Sequence, residues 1–391
     1  MQSGIKNIIK CKKLAKMRKI TIVYQRCAYL HTWLKPMISA KNEFEKIGYK
    51  IEYQSLLDYV PFDYFPILRK RQKLQEKKSL KMAMTHKYDI VMMAFHHSTS
   101  DLCQMSKEKR AEILQKIKAN CNMLIWLDTA DSTGTCMFDV MPYVDLYFKK
   151  QLLKNREDYC RDVYGARTFC EYYHDLLHVE DDTITKRYYE PTEKQYLHKL
   201  RVAWNVGIGD LYARGWKHLL PFVVKPKFTS PLTNRQLDIQ YRGSGYSPIA
   251  GYPRTRSKEL LLEMKNQVVM SDISKRIPKS EFIKEGQNAK AILSPFGWGE
   301  ICGRDFETFV YGACMIKQDM SHCETYPNAY QPYVTYVPLK WDFSDFKEKI
   351  AKASSKQYLD IAKRGQEYYK YFFTAEGRMD FAKHIVSQIE N

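Results

Sequence analysis

The sequence lacks the features of several large protein classes. Its longest apolar runs, such as IVMMAF at residues 90–95, are far shorter than the roughly 20 residues that a membrane-spanning helix needs. It has no apolar secretory signal near its start, and its ten cysteines include no CxxC pair. Scattered cysteines of this kind favour a reducing compartment, where they act as small apolar residues. We therefore expect a cytoplasmic protein that does not cross a membrane.

Several catalytic and cofactor signatures are also missing. There is no Walker loop, no GxSxG elbow and no DxD run of a metal-dependent transferase. The partial matches each lack a needed residue: two glycine pairs have no third glycine, and an i, i+4 histidine pair has no third ligand. We therefore expect neither a metal nor a resident cofactor. These partial matches are Glu180–Asp181–Asp182, His174 with His178, Gly207 with Gly209, and Gly243 with Gly245.

Positive charge, in contrast, is abundant and uneven. The net charge is +19, and the first 42 residues carry ten Lys or Arg and no acid. A second run at residues 69–81 has seven bases and one Glu. Such runs most often form a solvated face, and otherwise they attract anionic membranes, phosphate-bearing substrates or nucleic acid. Isoleucines opposite lysines at residues 5–17 are typical of an interfacial helix, so the basic leader at 1–18 predicts peripheral membrane contact.

Short apolar runs alternate with amphipathic stretches along most of the chain, which predicts a parallel sheet covered by helices. A helix is predicted around residues 37–47 and another at 107–120. The last residues predict two terminal helices. Strands are predicted at residues 19–25, 50–56, 88–95, 122–128 and 144–151, and then at 237–243, within 268–272, at 289–297 and, as the last one, at 312–318.

Two such series imply two Rossmann-like, doubly wound domains that face each other across a cleft. The stretch from 171 to 231 is irregular and rich in Tyr, His and Pro, so a hinge is predicted within it. The predicted boundaries are 1–205 for the N-terminal domain, 206–236 for a linker, 237–355 for the C-terminal domain, and 356–391 for the terminal helices.

The stretch SPFGWGEICGRDFETF, which begins at Ser294, follows one of these predicted strands. In open α/β sheets the ligand lies beyond the carboxyl ends of the strands. Glycines there allow backbone N–H groups to approach a ligand, and the helix that begins near Gly303 offers free donors to a diphosphate. Arg304 adds a cation, and Glu307 is placed to accept from vicinal hydroxyls of a sugar. The alternative is a helix start whose acids stabilise the dipole, beside a packed aromatic loop.

This segment carries a resemblance to a known family. The run GEICGRDFETFVYGACMI at 299–316 and the KQDMSHCETYPNAYQPYVTYVPLKWDFSDF that follows it resemble the donor-binding segment of GT-B glycosyltransferases. They are most similar to the group 1, family-4-like transferases of polysaccharide and glycoprotein glycan assembly. The resemblance covers residues 291–346, about a seventh of the chain, and is only topological elsewhere. It implies a GT-B fold whose terminal helices at 356–391 pack back on the N-terminal domain. It also implies an acceptor-binding N-terminal domain at 1–205, a nucleotide-sugar-binding C-terminal domain at 237–355, and transfer from a nucleoside-diphosphate sugar, with retention favoured.

The resemblance also implies roles for single residues. Glu307, with Gly312 five residues on, matches the glutamate that holds the donor ribose. The family's first glutamate, which touches the donor sugar, falls on Gly299, and Glu300 is one residue out of register. A basic residue after the first strand of the second domain would meet the diphosphate. The full set of implied donor-binding residues is Arg242, Gly243, Phe296, Gly297, Trp298, Gly299, Glu300, Arg304, Glu307 and Lys317, with Arg254 and Arg256 as rivals of Arg242.

In the first half, FHHSTSD and LDTADSTGT follow predicted strands. His96, His97, Asp128 and Asp131 should therefore face the same cleft, to bind the acceptor or to act as a base. If the reaction inverts configuration, a base is required, and Asp128, Asp131 and His97 are the catalytic candidates. The alternative for each is a turn or a helix cap.

The sequence thus predicts a metal-independent glycosyltransferase that acts on a glycan, glycoprotein or glycolipid acceptor. The rival hypothesis is a basic, non-catalytic α/β protein that binds nucleic acid or an anionic membrane surface. Nucleic acid is the less favoured partner. The sequence identifies neither the base, the sugar nor the linkage.

Overall fold

A computed structural model describes residues 17–54, 69–181, 190–209, 211–213, 217, 220 and 222–391. Three predicted features therefore lie wholly or partly outside the described residues. They are the interfacial helix at 5–17, of which only residue 17 is described, Asp182, and the last two residues of the strand predicted at 50–56. No helix in the described part of the chain has both the length and the apolar character that crossing a bilayer requires.

The strands fall where short buried apolar runs occur. They are β1 (Arg18–Tyr24), β2 (Tyr49–Tyr53), β3 (Tyr88–Ala94), β4 (Cys121–Asp128), β5 (Leu146–Lys149), β6 (Gln151–Leu153), β7 (Leu200–Val202), β8 (Leu237–Gln240), β9 (Ala289–Leu293), β10 (Cys314–Gln318), β11 (Cys323–Thr325) and β12 (Tyr336–Leu339).

The helices mostly connect consecutive strands. They are α1 (Ala28–Ser39), α2 (Lys41–Lys46), α3 (Arg69–Thr85), α4 (Asp101–Gln104), α5 (Lys107–Lys118), α6 (Thr168–Leu177), α7 (Tyr252–Glu263), α8 (Lys279–Asn288), α9 (Gly303–Tyr311), α10 (Phe346–Ala351), α11 (Lys356–Tyr371) and α12 (Ala375–Glu390).

The strands form two parallel sheets and one short ribbon. The first sheet has the order β2-β1-β3-β4-β5-β7 and the second has the order β12-β10-β9-β8, with every pairing parallel. The central strands β3 and β4 end in five consecutive buried residues each, as expected for strands covered on both faces. We call the first sheet with its covering helices the N-terminal half, and the second sheet with its covering helices the C-terminal half.

Three predicted elements differ from the observed ones. The helix expected at 37–47 is two helices, α1 and α2, which break at Ala40. The strand expected within 268–272 is a single bridge between Ile239 and Met270. The strand β10 is not the last, because β12 pairs beside it at the edge of the sheet. Pro338 within β12 has no N–H to donate, which an edge position tolerates.

Two helices pack in the core of the opposite half: α6 lies in the chain between strands of the N-terminal sheet but packs in the C-terminal half, and α12 follows the C-terminal sheet but packs in the N-terminal half. The helix α6 inserts Phe169 and Tyr173 into the core of the C-terminal half, although the predicted division assigns residues 1–205 to the first domain. In return, α12 places Phe381 and Ile385 in the core of the N-terminal half. Of the two terminal helices only α12 crosses back, since α11 packs in the C-terminal core. Two Rossmann-like halves with a returning C-terminal helix confirm the predicted GT-B architecture.

His384 on the returning helix makes the fold sensitive to acid. Its ring stacks on Tyr326 with 3.9 Å between centroids, and its Nε2 lies 2.9 Å from the carbonyl oxygen of Val202. Burial lowers the pKa of the His384 imidazole. In the unfolded chain this pKa is about 6.5, so below that pH the unfolded state takes up a proton that the folded state resists. The free energy of unfolding therefore falls as pH drops from 6.5 towards the folded-state pKa.

We expect His384→Gln to reduce this loss, because glutamine keeps a polar nitrogen but does not titrate. Urea unfolding at about pH 7 and about pH 5 should show a smaller difference in the variant than in the wild type. His86 is exposed, and His86→Gln should keep the full wild-type difference. An unchanged pH dependence in His384→Gln would contradict the assignment.

Candidate functional site

A cleft of about 900 Å³ opens beyond the carboxyl end of β8. It is bounded by the loop 242–248, the start of α7, the segment 273–277 and Phe282. Five of its lining residues are cationic and none is acidic. We call this the basic cleft; its cations are Arg242, Arg254, Lys258, Lys275 and Arg276.

Two of the five cations are neutralised by neighbouring acids. The Arg242 Nε donates to the Glu285 carboxylate at 2.9 Å, and Lys275 lies 3.8 Å from an Asp272 oxygen. The remaining three, Arg254, Lys258 and Arg276, form no ion pair with any residue that the structure describes. Three uncompensated cations that line one concave surface favour an anionic ligand.

Aromatic rings and arginines form a stack beside the basic cleft. Trp298 stacks on Tyr246 with 4.4 Å between centroids and 21° between planes. The Arg254 guanidinium lies over the Tyr246 ring, 5.3 Å from its centroid. The Arg167 guanidinium lies over the Trp298 ring, 5.6 Å from its centroid. A Cβ on Gly297 would lie 2.3 Å from the Arg254 Nη2, so a larger residue there would displace the Arg254 guanidinium. The stack therefore forms a wall that runs from Arg254 and Tyr246, which line the basic cleft, to Trp298, which is 42% exposed.

Two polar atoms of this wall have no hydrogen-bond partner among the described residues. They are the Tyr246 hydroxyl and the Arg254 Nε, both buried. Burial raises the pKa of Tyr246 to about 12, so its hydroxyl keeps its proton and remains a donor at neutral pH. Buried donors without partners are uncommon, and here both belong to residues that line the basic cleft. They point to a ligand with oxygen acceptors.

The helix α9 supplies no lining residue of the basic cleft, but its first two turns contact residues around it. The Arg304 guanidinium donates to the backbone carbonyl of Arg242, and it lies 6.0 Å from the Phe282 ring. Glu307, one turn on, accepts from the Lys279 Nζ at 2.6 Å, and Lys279 in turn lies over Phe282. The predicted residues Arg304 and Glu307 are thus brought together with the lining residues Arg242 and Phe282.

Two other residues that the sequence predicts to bind the sugar donor are buried beneath the donor loop, residues 294–302, which joins β9 to α9. Phe296 is fully buried and packs on Phe169 and Trp341. Lys317, also fully buried, lies 3.3 Å from the Asp305 carboxylate and donates to the Ser294 carbonyl at 3.1 Å. Neither side chain reaches the basic cleft, so this placement favours a supporting role. Of the rivals named for the diphosphate, Arg254 lines the cleft, whereas Arg256 pairs with Glu259 at 3.0 Å.

The remaining two predicted residues of the loop contact the N-terminal half. A Cβ on Gly299 would lie 1.8 Å from the Asp131 carbonyl oxygen, which shows how closely the two backbones approach. The fully buried Glu300 accepts from the Thr133 amide at 3.0 Å and from the Gln151 Nε2 at 2.6 Å. Next to these contacts, β6 and β11 pair in an antiparallel ribbon. We call this contact region, with residues 131–133, 151–153, 299–300 and 323–325, the seam.

The catalytic candidates of the N-terminal half lie at the carboxyl ends of β3 and β4, as the sequence predicts. The Asp128 carboxylate is buried and accepts from Tyr147, Lys149 and the Ala130 amide, an arrangement that holds it in place. Asp131 differs, because 57% of its side chain is exposed and its only ion-pair partner in the described chain is Lys150 at 3.0 Å.

The environments of Asp131 and His97 set their protonation states. The Lys150 ammonium lowers the pKa of the Asp131 carboxyl, so it is ionised at neutral pH. Burial lowers the pKa of the His97 imidazole, which keeps it neutral, and His97 stacks on His96 with 4.7 Å between centroids. Either group can therefore accept a proton, as a general base must. Their catalytic role stays a prediction.

Sequence reasoning missed four residues of the site. Tyr246 lies in the turn that the sequence singled out only for its glycines, and Arg167 lies outside any predicted strand end. Lys258 and Arg276 are single cations in a basic chain. Neither of these two cations forms an ion pair with a described residue. This property depends on neighbours in three dimensions, which a single sequence does not display.

In the described chain one group of three side chains could hold a metal ion: Glu300, His322 and Cys323. The pair considered from sequence, His174 and His178, belongs to no such group among the described residues. His174 stacks on Tyr164 with 3.9 Å between centroids. His178 caps the end of α6 in a left-handed conformation.

No family model and no curated protein matches the chain. Similar solved structures include an alpha-glucosyltransferase in complex with UDP, 11% identical with a TM-score of 0.40 over 93% of this chain and 99% of that one. A putative UDP-N-acetylglucosamine 2-epimerase from Listeria monocytogenes is 11% identical with a TM-score of 0.41 over 96% of each chain. An alpha1,3-fucosyltransferase is 11% identical with a TM-score of 0.37 over 96% and 90%. With TM-scores below 0.5, these likenesses do not show what this chain does.

Proposed function

We propose that the chain transfers a sugar from a nucleoside-diphosphate sugar to a glycan, glycoprotein or glycolipid acceptor. The observation that carries this proposal is the basic cleft, which holds three cations without an ion-pair partner in the described chain and no lining acid. It lies beyond a parallel strand end, where α/β sheets bind ligands. Its volume of about 900 Å³ suits a ligand of nucleotide-sugar size, since small-molecule pockets span roughly 300–1,000 Å³.

Each part of the donor has a matching group. Arg254, Lys258 and Arg276 bind the diphosphate, and the unpartnered Tyr246 hydroxyl donates to one of its oxygens. Glu307 accepts from the ribose hydroxyls, in exchange for its contact with Lys279. The base lies towards Phe282, the aromatic residue of the cleft that also faces Lys279.

Catalysis by such a site is largely electrostatic. The bond from the anomeric carbon to the diphosphate breaks, and the fixed cations stabilise the negative charge that develops on the departing oxygen. Because these cations are part of the chain, we propose that the transfer does not depend on a metal. The stack of Trp298 on Tyr246 borders the reacting end and limits the access of water.

The acceptor is proposed to bind on the N-terminal side. The backbone of Asp131 touches Gly299, the neighbour of Trp298, so Asp131 is the exposed carboxylate adjacent to the donor loop. In an inverting reaction, Asp131 or His97 would take the acceptor proton. In a retaining reaction, which the resemblance favours, the departing diphosphate oxygen takes the acceptor proton as the new glycosidic bond forms, so no separate base is required. The configuration of the new bond, read by NMR, separates the two.

Binding of nucleotides tests the proposal directly. Isothermal titration with UDP, GDP and CMP and their sugars should show selective binding of one base. Arg254→Ala and Lys258→Ala should each weaken that binding about 10- to 100-fold, because each removes a charged contact worth about 1.5–3 kcal/mol. Arg256→Ala is the matched control, since Arg256 lies on the same helix but pairs with Glu259, and it should bind as the wild type does.

The rival function gives a different result. A basic protein that binds polyanions would bind nucleic acid or anionic vesicles with a steep salt dependence. It would bind none of the nucleotides selectively, and Arg254→Ala and Arg256→Ala would have equal effects. That outcome would overturn the transferase proposal.

A further inference from the structure

A cluster of metal-ligating side chains lies at the seam, apart from the basic cleft: Glu300 and Cys323 belong to the seam, and His322 immediately precedes its 323–325 segment. One ligand atom each from Glu300, His322 and Cys323 lies within 4.8 Å of the others. Glu300 follows β9, whereas Cys323 begins β11, the strand that pairs with β6 of the N-terminal half. None of the three takes part in the proposed sugar transfer.

Glu300 is a buried carboxyl group without a cationic partner among the residues that the structure describes. It is fully buried, and its three donors are neutral: the amide and the hydroxyl of Thr133, and the Gln151 amide. A buried carboxylate without a counter-charge is costly. Its Oε1 accepts a single hydrogen bond, from the Thr133 hydroxyl at 2.7 Å, so one lone pair of this oxygen remains open.

The neighbouring residues offer two more ligand types. The His322 Nε2 lies 3.1 Å from the Cys323 Sγ, and the other ring nitrogen, Nδ1, is buried without a partner. The edge of the Trp341 ring fixes the imidazole, with 4.8 Å between centroids. The Gln151 Oε1, on the amide that donates to Glu300, is also buried and unpartnered. Oxygen, nitrogen and sulfur ligands thus converge on one water-poor location.

We propose that Glu300, His322 and Cys323 bind one divalent transition-metal ion, with zinc as the best fit. Carboxylate oxygen, imidazole nitrogen and thiolate sulfur are the ligands of tetrahedral zinc sites, whereas Mg²⁺ and Ca²⁺ take oxygen ligands. The Gln151 Oε1 or a water molecule supplies the fourth ligand. On binding, the Cys323 S–H bond breaks, the proton goes to solvent and a sulfur–metal bond forms.

The ion would have a structural role. Ligand atoms around zinc lie roughly 3.5 Å apart, so the ion draws the three side chains together from separations of up to 4.8 Å. Glu300 is already hydrogen-bonded to Thr133 and Gln151 of the N-terminal half. The ion therefore fastens β11 and the loop after β9 to that half, and it neutralises the buried carboxylate. This inference does not depend on the proposed sugar transfer.

Metal analysis of the full chain, purified without chelator, tests the site. Elemental analysis should find about one zinc ion per chain in the wild type and none in Cys323→Ser. The matched control is Cys314→Ser, because Cys314 is also a buried free cysteine in a strand of the C-terminal half, and this variant should retain the ion. After a chelator removes the ion, zinc chloride should raise the melting temperature of the wild type and of Cys314→Ser, but not of Cys323→Ser.

Cobalt replacement reports the ligands themselves. The Co²⁺-loaded wild type should show a thiolate-to-cobalt charge-transfer band that is lost in Cys323→Ser. If Cys323→Ser does not fold, His322→Gln replaces it in both measurements. This variant should contain no zinc, and its cobalt spectrum should differ from that of the wild type. A wild type without metal and without a zinc-induced shift, or equal zinc in Cys323→Ser, would leave only a hydrogen-bonded Cys–His pair and overturn the site. An equal shift with magnesium chloride would overturn the choice of ion.

Discussion

Gly299→Ala is expected to separate the two halves of the molecule at the seam. The added Cβ would lie 1.8 Å from the Asp131 carbonyl oxygen and 3.1 Å from the Ser132 nitrogen. Both contacts are with backbone, so no side-chain rotation relieves them. The loop must withdraw, and the hydrogen bonds of Glu300 to the other half are then lost. We expect a loss of about 3 kcal/mol or more in the free energy of unfolding, from overpacking together with unpaired buried groups.

Gly303→Ala is the matched control for this prediction. It lies four residues further along the same segment, and its Cβ would meet only a Leu211 methyl at 4.0 Å. Its stability in urea should equal that of the wild type or exceed it, because alanine is the better helix residue at the start of α9. Small-angle X-ray scattering of folded Gly299→Ala should show a larger radius of gyration. Equal stability of the two variants would show that the halves do not meet at Gly299.

Lys317→Met is expected to destabilise the C-terminal half by about 3–5 kcal/mol. Lys317 and Asp305 are both fully buried, with 3.3 Å between the ammonium and the carboxylate. The substitution leaves the Asp305 charge without a counter-charge beneath the start of α9. Asp305 also accepts from Tyr330 at 2.7 Å and from the Cys302 amide at 3.1 Å, so its position is fixed and it cannot move to solvent.

Urea unfolding of three variants tests this. Lys352→Met breaks an exposed pair with Glu348, and it should cost less than about 1 kcal/mol. The double variant Lys317→Met with Asp305→Asn should be more stable than Lys317→Met alone, because no uncompensated charge remains. If Lys317→Met and Lys352→Met cost the same, the buried pair contributes nothing beyond a surface pair.

Local patterns predicted most of the fold. The strand and helix positions follow from short apolar runs and amphipathic periodicity, which depend on residues close in sequence. The edge strand β12 was missed because its four residues include Pro338, which weakens a strand pattern. Residues 268–272 predict a short strand. In the structure, the Asp238 carboxylate accepts from the Val269 amide at 2.8 Å, and the pairing stops after one bridge.

The site was predicted less completely, because its character depends on distant neighbours. The sequence predicts that Arg304 meets a diphosphate and that Glu307 meets ribose hydroxyls. In the structure Arg304 contacts the lining residues Arg242 and Phe282, and Glu307 contacts Lys279. The sequence also offered Phe296 and Lys317, which are buried in the core. For Glu300, the deciding contacts are with Thr133 and Gln151, which lie 167 and 149 residues away in the chain. Spacing within one segment does not reveal such partners.

The exchange of α6 and α12 between the cores sets the order in which the protein is able to fold during synthesis. Residues 375–390 supply Phe381, Ala382, Ile385 and Ile389 to a core built mainly from the first part of the chain. The ribosome makes these residues 173 to 188 positions after β7, the last strand of that sheet. The earliest-made sheet therefore waits with an uncovered apolar face until the C-terminal half has been synthesised, an interval in which chaperones have a surface to bind.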